Sequence, residues 1–143
     1  MASFVFTEAK RALLAGELDL NAHDIRVMLV GSATTADTEE DATTISGFTT
    51  LDEFTDASYA RKALAAEAVA ADNANNRGEF DADDVTWTAL TGDTAAAMLV
   101  FRHVTNDTDS VPIAYIDSGG FPQTPGGANL TIAWNAEGIL QAT

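Results

Sequence analysis

Carboxylates are the side chains this sequence supplies most densely for chemistry. Glu79, Asp81, Asp83 and Asp84 fall within one short stretch, and two acids facing each other across a bond are what glycoside hydrolysis requires. On an extended strand, however, positions 79, 81 and 83 share one face, where like charges repel unless water or a cation lies between them. That spacing reads as a solvated turn or bulge rather than an acid–base pair. A second cluster, Asp37, Glu39, Glu40 and Asp41, lacks the alternating oxygen ligands, central glycine and closing glutamate of a helix–loop–helix calcium site. It reads as part of a surface loop or short helical turn from Ser32 to Thr44. His23 and His103 are the only histidines, and neither stands in a metal-ligand spacing or a serine–histidine motif. There is no cysteine, so thiolate nucleophiles and Cys-ligated metal centres are excluded. Gly119-Gly120 and Gly126-Gly127 lack the lysine and helix that follow a phosphate loop. No catalytic, metal or cofactor site is expected.

The elements that would position these residues are mostly strands. Phe6 to Gly16 reads as a short helix over 7–16, with Thr7 as N-cap, Glu8 at the positive end of the dipole, Ala9, Leu13 and Phe6 on one face, and Gly16 at C′. Asp24 to Gly31 is a β-branched run ended by glycine, a largely buried strand. Apolar residues at 45, 48, 51 and 54 anchor a short helix or irregular segment. Tyr59 to Ala71 is ambiguous: its alanine, leucine, lysine and glutamate favour helix, while its alternation and the turn-rich Asp72 to Gly78 beside it suit a strand.

From Gly78 to Phe101 the chain joins its acidic stretch to its longest apolar run, Ala95 to Phe101. This reads as two neighbouring strands, with Phe80, Val85 and Trp87 in the core and the later one apolar on both faces, as a central strand is. Pro112 to Asp117 is the next strand, Gly119 to Gly127 a loop, Leu130 to Asn135 a strand and Gly138 to Leu140 an edge strand or tail. Trp87, Trp134 and Tyr115 occupy regular strand positions, as core aromatics do. Short strands separated by turns at fairly even intervals predict a mainly β fold, an antiparallel β-sandwich or barrel-like domain with one short N-terminal helix.

The 143 residues, 46% of them hydrophobic, suit one domain with a core that needs no staples. Seven basic against 22 acidic residues give a net charge of −15, a field that repels phosphate backbones and anionic lipid, so neither nucleic acid nor membrane is expected as a partner. The longest apolar run is far shorter than the ~20 residues of a spanning helix, and the first six residues lack the pattern of a signal peptide.

Four strings resemble a family of small structural proteins of tailed-bacteriophage virions: Tyr59-Ala60-Arg61-Lys62-Ala63-Leu64, Asn75 to Trp87, Pro112 to Gly119, and Leu130 to Leu140. The short helix and the Asp24 to Val30 strand fit the same order. The resemblance implies a virion component, assembled in the host cytoplasm. Its most direct reading is a non-enzymatic capsid decoration or cement protein bound to the major capsid protein, with a tail or neck component as the near alternative. It also implies a homo-oligomer, trimers being common among shell decorators, and it resolves Ala60 to Ala71 as strand. A cement protein binds by burying surface, so the candidates for partner contact are an arm at residues 1–6 carrying Phe4, Val5 and Phe6, and the loop at Phe121 and Pro122. Two other classes compete. A carbohydrate-binding module needs Trp87, Trp134 or Phe121 exposed in a row, and a hydrolase needs the Glu79 to Asp84 carboxylates.

Overall fold

Short apolar runs build strands over 31% of the chain, and the computed structural model describes residues 3–143. In chain order the elements are β1 (Phe4–Val5), α1 (Thr7–Leu14), β2 (Ile25–Val30), a 3₁₀ turn (Ile45–Gly47), β3 (Lys62–Ala63), β4 (Ala68–Asp72) and β5 (Arg77–Asp81). β6 (Val85–Trp87), β7 (Ala97–Arg102), β8 (Val111–Ile116), β9 (Leu130–Ile132) and β10 (Leu140–Ala142) complete them. They form three antiparallel sheets in a sandwich-like arrangement, ordered β1-β8-β7-β2-β3, β10-β5-β4 and β6-β9. β7 lies between β8 and β2, and Ala97 to Phe101 are all buried. That is why this run is apolar on both faces.

The buried side chains form one cluster running from Phe6 to Ile132. Of the four anchors spaced by three, Ile45, Phe48 and Phe54 are buried and Leu51 is half-buried. The 3₁₀ turn docks on the β7–β8 connection, with the Ile45 N–H donating to the Ser110 carbonyl (2.9 Å) and the Ser46 N–H to that of Asp107 (2.8 Å).

Helix α1 closes as its glycine demands. Gly16 has φ +71°, and the Glu17 N–H reaches the Ala12 carbonyl (2.8 Å) while the Gly16 N–H reaches that of Leu13 (3.2 Å), the paired bonds of a Schellman end. Its start departs from expectation. Phe6, not Thr7, holds the cap position and makes no side-chain cap; the Thr7 N–H donates instead to the Glu40 carbonyl (3.0 Å). The inward face differs too: Phe6, Ala9 and Ala12 are buried, whereas Leu13 and Leu14 are exposed. Small alanines let the helix lie close to β8, which turns the two leucines outward.

Three further readings are corrected by the structure. The residues from Gly78 to Phe101 are divided among all three sheets, so β5, β6 and β7 are successive in sequence but not paired. Phe80, Val85 and Trp87 are nonetheless buried, and Asp81, Asp83 and Asp84 are exposed. Ala60 to Ala71 is not one strand but two short ones, interrupted at Ala66 with φ +55°; β3 pairs with β2 and β4 with β5. The strand read over Leu130 to Asn135 stops at Ile132, leaving Trp134 half-buried beyond its end.

The N-terminal arm is tied down within the described residues. Phe4 pairs with Tyr115 and Val5 with Ala114, Phe4 stacks on the Tyr115 ring at 5.5 Å, and Phe6 is fully buried. Met1 and Ala2 lie outside the described residues.

Candidate interaction surface

Three of the four strings that resemble the virion family, those from Tyr59, Asn75 and Leu130, are joined to one another in space. The Trp87 indole N–H donates to the Ala60 carbonyl (2.7 Å), and its ring stacks on Tyr59 at 6.2 Å. The Asp84 carboxylate accepts the Trp134 backbone N–H (3.1 Å), and the Asp83 carbonyl accepts the Trp134 indole N–H (2.9 Å). β6 pairs with β9, Val85 opposite Ile132 and Trp87 opposite Leu130, and Leu140 lies opposite Phe80. At Gly138, with φ +87°, a Cβ would stand 2.7 Å from the Phe80 carbonyl oxygen, so glycine is required for this closure.

Arg61 is the centre of the charge network. Its guanidinium grips Glu53 through Nε (2.8 Å) and Nη2 (2.7 Å), and Asp107 through Nη1 (2.5 Å) and Nη2 (2.9 Å), and lies over the Phe101 ring. The Tyr59 hydroxyl donates to Glu53 (3.1 Å) and accepts the Leu29 N–H (3.0 Å). Burial, followed by the Glu53 charge, pushes the Tyr59 hydroxyl far above its ordinary range. Hydrogen bonds that Arg61 donates to Glu53 and then to Asp107 hold its guanidinium firmly charged. The Arg61 hydrogen bonds hold Asp107 below its ordinary value, and Arg26 does the same to Asp24.

These depressed carboxylates set an acid limit. A group lowered on folding stabilises the fold above its unfolded value, and that stabilisation is lost as pH falls through the folded value. The urea midpoint is therefore expected to hold down to about pH 4, the ordinary carboxylate value, and to decline below it. Partial relief of the −15 self-repulsion acts above that point. A midpoint that keeps rising below that pH would contradict the assignment.

The residues considered for chemistry are kept apart. Glu79 is paired with Arg77 (2.8 Å). In the second cluster, Glu39 latches its own loop, accepting from the Thr35 hydroxyl (2.7 Å), the Thr49 N–H (2.9 Å) and the Thr49 hydroxyl (2.5 Å), which hold it below its usual value. His23 accepts the Asp19 N–H (3.1 Å), and His103 lies at the end of β7 with a buried, unpartnered Nδ1. Among the described residues no group of three or more His, Asp or Glu is placed to hold a metal ion, and no helix is long and apolar enough to cross a membrane. Trp87 is fully buried and Trp134 and Phe121 are half-buried, so they form no exposed row of rings.

An apolar surface is present instead. Leu13, Leu14, Leu20, Val69, Phe80 and Leu140 line a groove of about 620 Å³ between α1 and the three-stranded sheet. Leu14 is 91% exposed and Val69 53%. Val69, Phe80 and Leu140 stand opposite one another across β4, β5 and β10, so one apolar row crosses the sheet and ends at the edge strand. Of the residues expected to meet a partner, Val5 lines this groove, and Phe4 lines a smaller hollow beside it. Phe6 is inside the core. Phe121 and Pro122 lie elsewhere, in a loop pinned by reciprocal bonds between Ala95 and Gln123 (both 2.8 Å) and by the Thr94–Thr124 hydroxyl pair (2.6 Å).

Sequence reasoning missed Leu13, Leu14, Val69 and Leu140. One signal was available: two consecutive leucines on a helix point about 100° apart, so both cannot join the narrow face set by Ala9 and Ala12. No family model matches the chain, and no curated protein or solved structure matches it either.

Proposed function

We propose that the chain is a non-enzymatic structural protein of a tailed-bacteriophage virion, a decoration or cement protein that binds the major capsid protein lattice and stabilises the head. The observation that carries the reading is the interlocking of the resembling strings. Tyr59 and Ala60 meet Trp87, Asp83 and Asp84 meet Trp134, and Phe80 meets Leu140. A likeness carried by framework residues extends to the fold and to what that fold presents, and it brings no reactive group with it.

Two properties of the surface support the same role. Cement proteins act by burying area against a lattice, and the exposed leucines beside the groove are surface that gains by burial. Arg11, Arg26, Arg61 and Arg77 are each engaged by carboxylates of this chain. An acidic exterior is left to complement basic patches on a shell. In this role the protein would work as a homo-oligomer, with the trimer the state to test first.

Particles assembled without the chain are expected to lose resistance to heat and osmotic shock and to regain it when purified protein is added. Particles that keep full resistance and bind none of the added protein would refute the reading.

A further inference from the structure

The edge strand β4 is unprotected. It ends the three-stranded sheet, so among the described residues alternate N–H and C=O groups along it have no neighbouring strand. Its sequence Ala68-Val69-Ala70-Ala71-Asp72 has no lysine, proline or bulge, and its first four residues are exposed. Natural sheets usually blunt such an edge, because it templates pairing with another chain. Here the apolar row Leu140–Phe80–Val69 runs out to that edge, and Leu13 and Leu14 stand exposed beside it along the groove. A fourth strand would satisfy the free backbone groups and cover Val69 together.

We propose that β4 and the groove form a docking site for an extended segment of a partner protein, which adds to β4 as a fourth strand. Its apolar side chains lie against Val69, Leu13 and Leu14, and basic residues flank them. Charge selects this occupant. The chain carries −15 overall, Glu67, Asp72 and Asp81 sit at the ends of the β4–β5 hairpin, and Arg77 is held by Asp72 and Glu79 within it (3.2 and 2.8 Å); Lys10, on α1, is the cation that lines the groove, and the acids at the β4 edge outnumber it. A second copy adding at β4 would set the acids of one hairpin against those of the other, so the homo-oligomer proposed above uses another face, whereas a lysine- or arginine-flanked strand is attracted here. Backbone pairing supplies affinity in strand addition, and alternate side-chain pockets supply selectivity. The inference rests on the cement reading only for the partner's identity, which would then be the shell protein.

Two synthetic peptides test the surface without any shell, one alternating valine with lysine and the other valine with glutamate. The lysine peptide is expected to slow hydrogen exchange at alternate amides of Ala68–Asp72, to bind more weakly as salt rises, and to bind at least about tenfold more tightly than the glutamate peptide. Leu14→Ser and Val69→Lys change exposed side chains, so their urea midpoints should stay close to wild type while each weakens the lysine peptide about tenfold. Equal binding of the two peptides, no protection of β4, or a free chain already dimerised through β4 would overturn the proposal. Co-sedimentation with shells separates the two claims. Shells that bind wild type and both variants alike would refute the docking site and leave the cement reading standing. Shells that bind none of them, with β4 still selecting the lysine peptide, would refute the cement reading alone.

Discussion

Replacing Trp87 with alanine is expected to cost about 3–5 kcal/mol, the range for emptying a large buried aromatic site. The side chain is fully buried, and two of its contacts cannot be replaced by collapse of the surroundings: the bond to the Ala60 carbonyl and the stack on Tyr59. Ala60 is exposed, so water can replace the lost donor at its carbonyl and the cavity term carries most of the cost. Trp87→Phe keeps most of the volume and loses the donor, so about 1–2 kcal/mol is expected from that variant. Urea unfolding followed by circular dichroism reads both. A cost below about 1 kcal/mol for the alanine variant would mean that Trp87 does not hold the Tyr59–Ala60 segment against β6.

Arg61→Met is the second large effect, expected at about 2–3 kcal/mol. Removing one partner of a fully buried ion pair costs more than that because charge is left unpaired, and here the cost is reduced because Glu53 and Asp107 keep partial access to water. Arg61→Lys retains charge but cannot grip two carboxylates side-on, so it should fall between wild type and methionine. The acid dependence gives an independent check. Asp107 is lowered because Arg61 hydrogen-bonds it, so the difference between wild type and Arg61→Met should shrink as pH drops below about 4 and that carboxylate protonates. A difference that stays constant to pH 2.5 would show that Arg61 acts through packing on Phe101 instead.

Both residues show why the fold was largely legible and the surface was not. Ala95 to Phe101 read as a central strand, since a run apolar on both faces needs cover on both sides, and the strand begins at Ala97. Val85 and Trp87 were readable as core from their alternation and Phe80 as a large aromatic beside them, and Gly16 marked the helix end. Ala60 to Ala71 was harder because alanine-rich sequence favours helix when isolated. Pairing with β2 and β5 overrides that preference, and the left-handed Ala66 divides the segment between two sheets. The arm was misplaced for a related reason: Phe4 and Phe6 look free beside a terminus until the Tyr115 and Phe48 rings that receive them are known. The groove draws Leu13, Val69 and Leu140 from three distant segments, and no periodicity within one segment encodes that meeting.

The same division runs through function. In the role proposed, the strings from Tyr59, Asn75 and Leu130 build the frame, while the exposed leucines and the open β4 edge lie outside them.

Immunogold labelling of intact particles produced by the genome that encodes this chain tests the central claim most directly. The account predicts label distributed in many copies over the head surface. Label confined to the neck or tail, or particles that carry none of the protein, would contradict it.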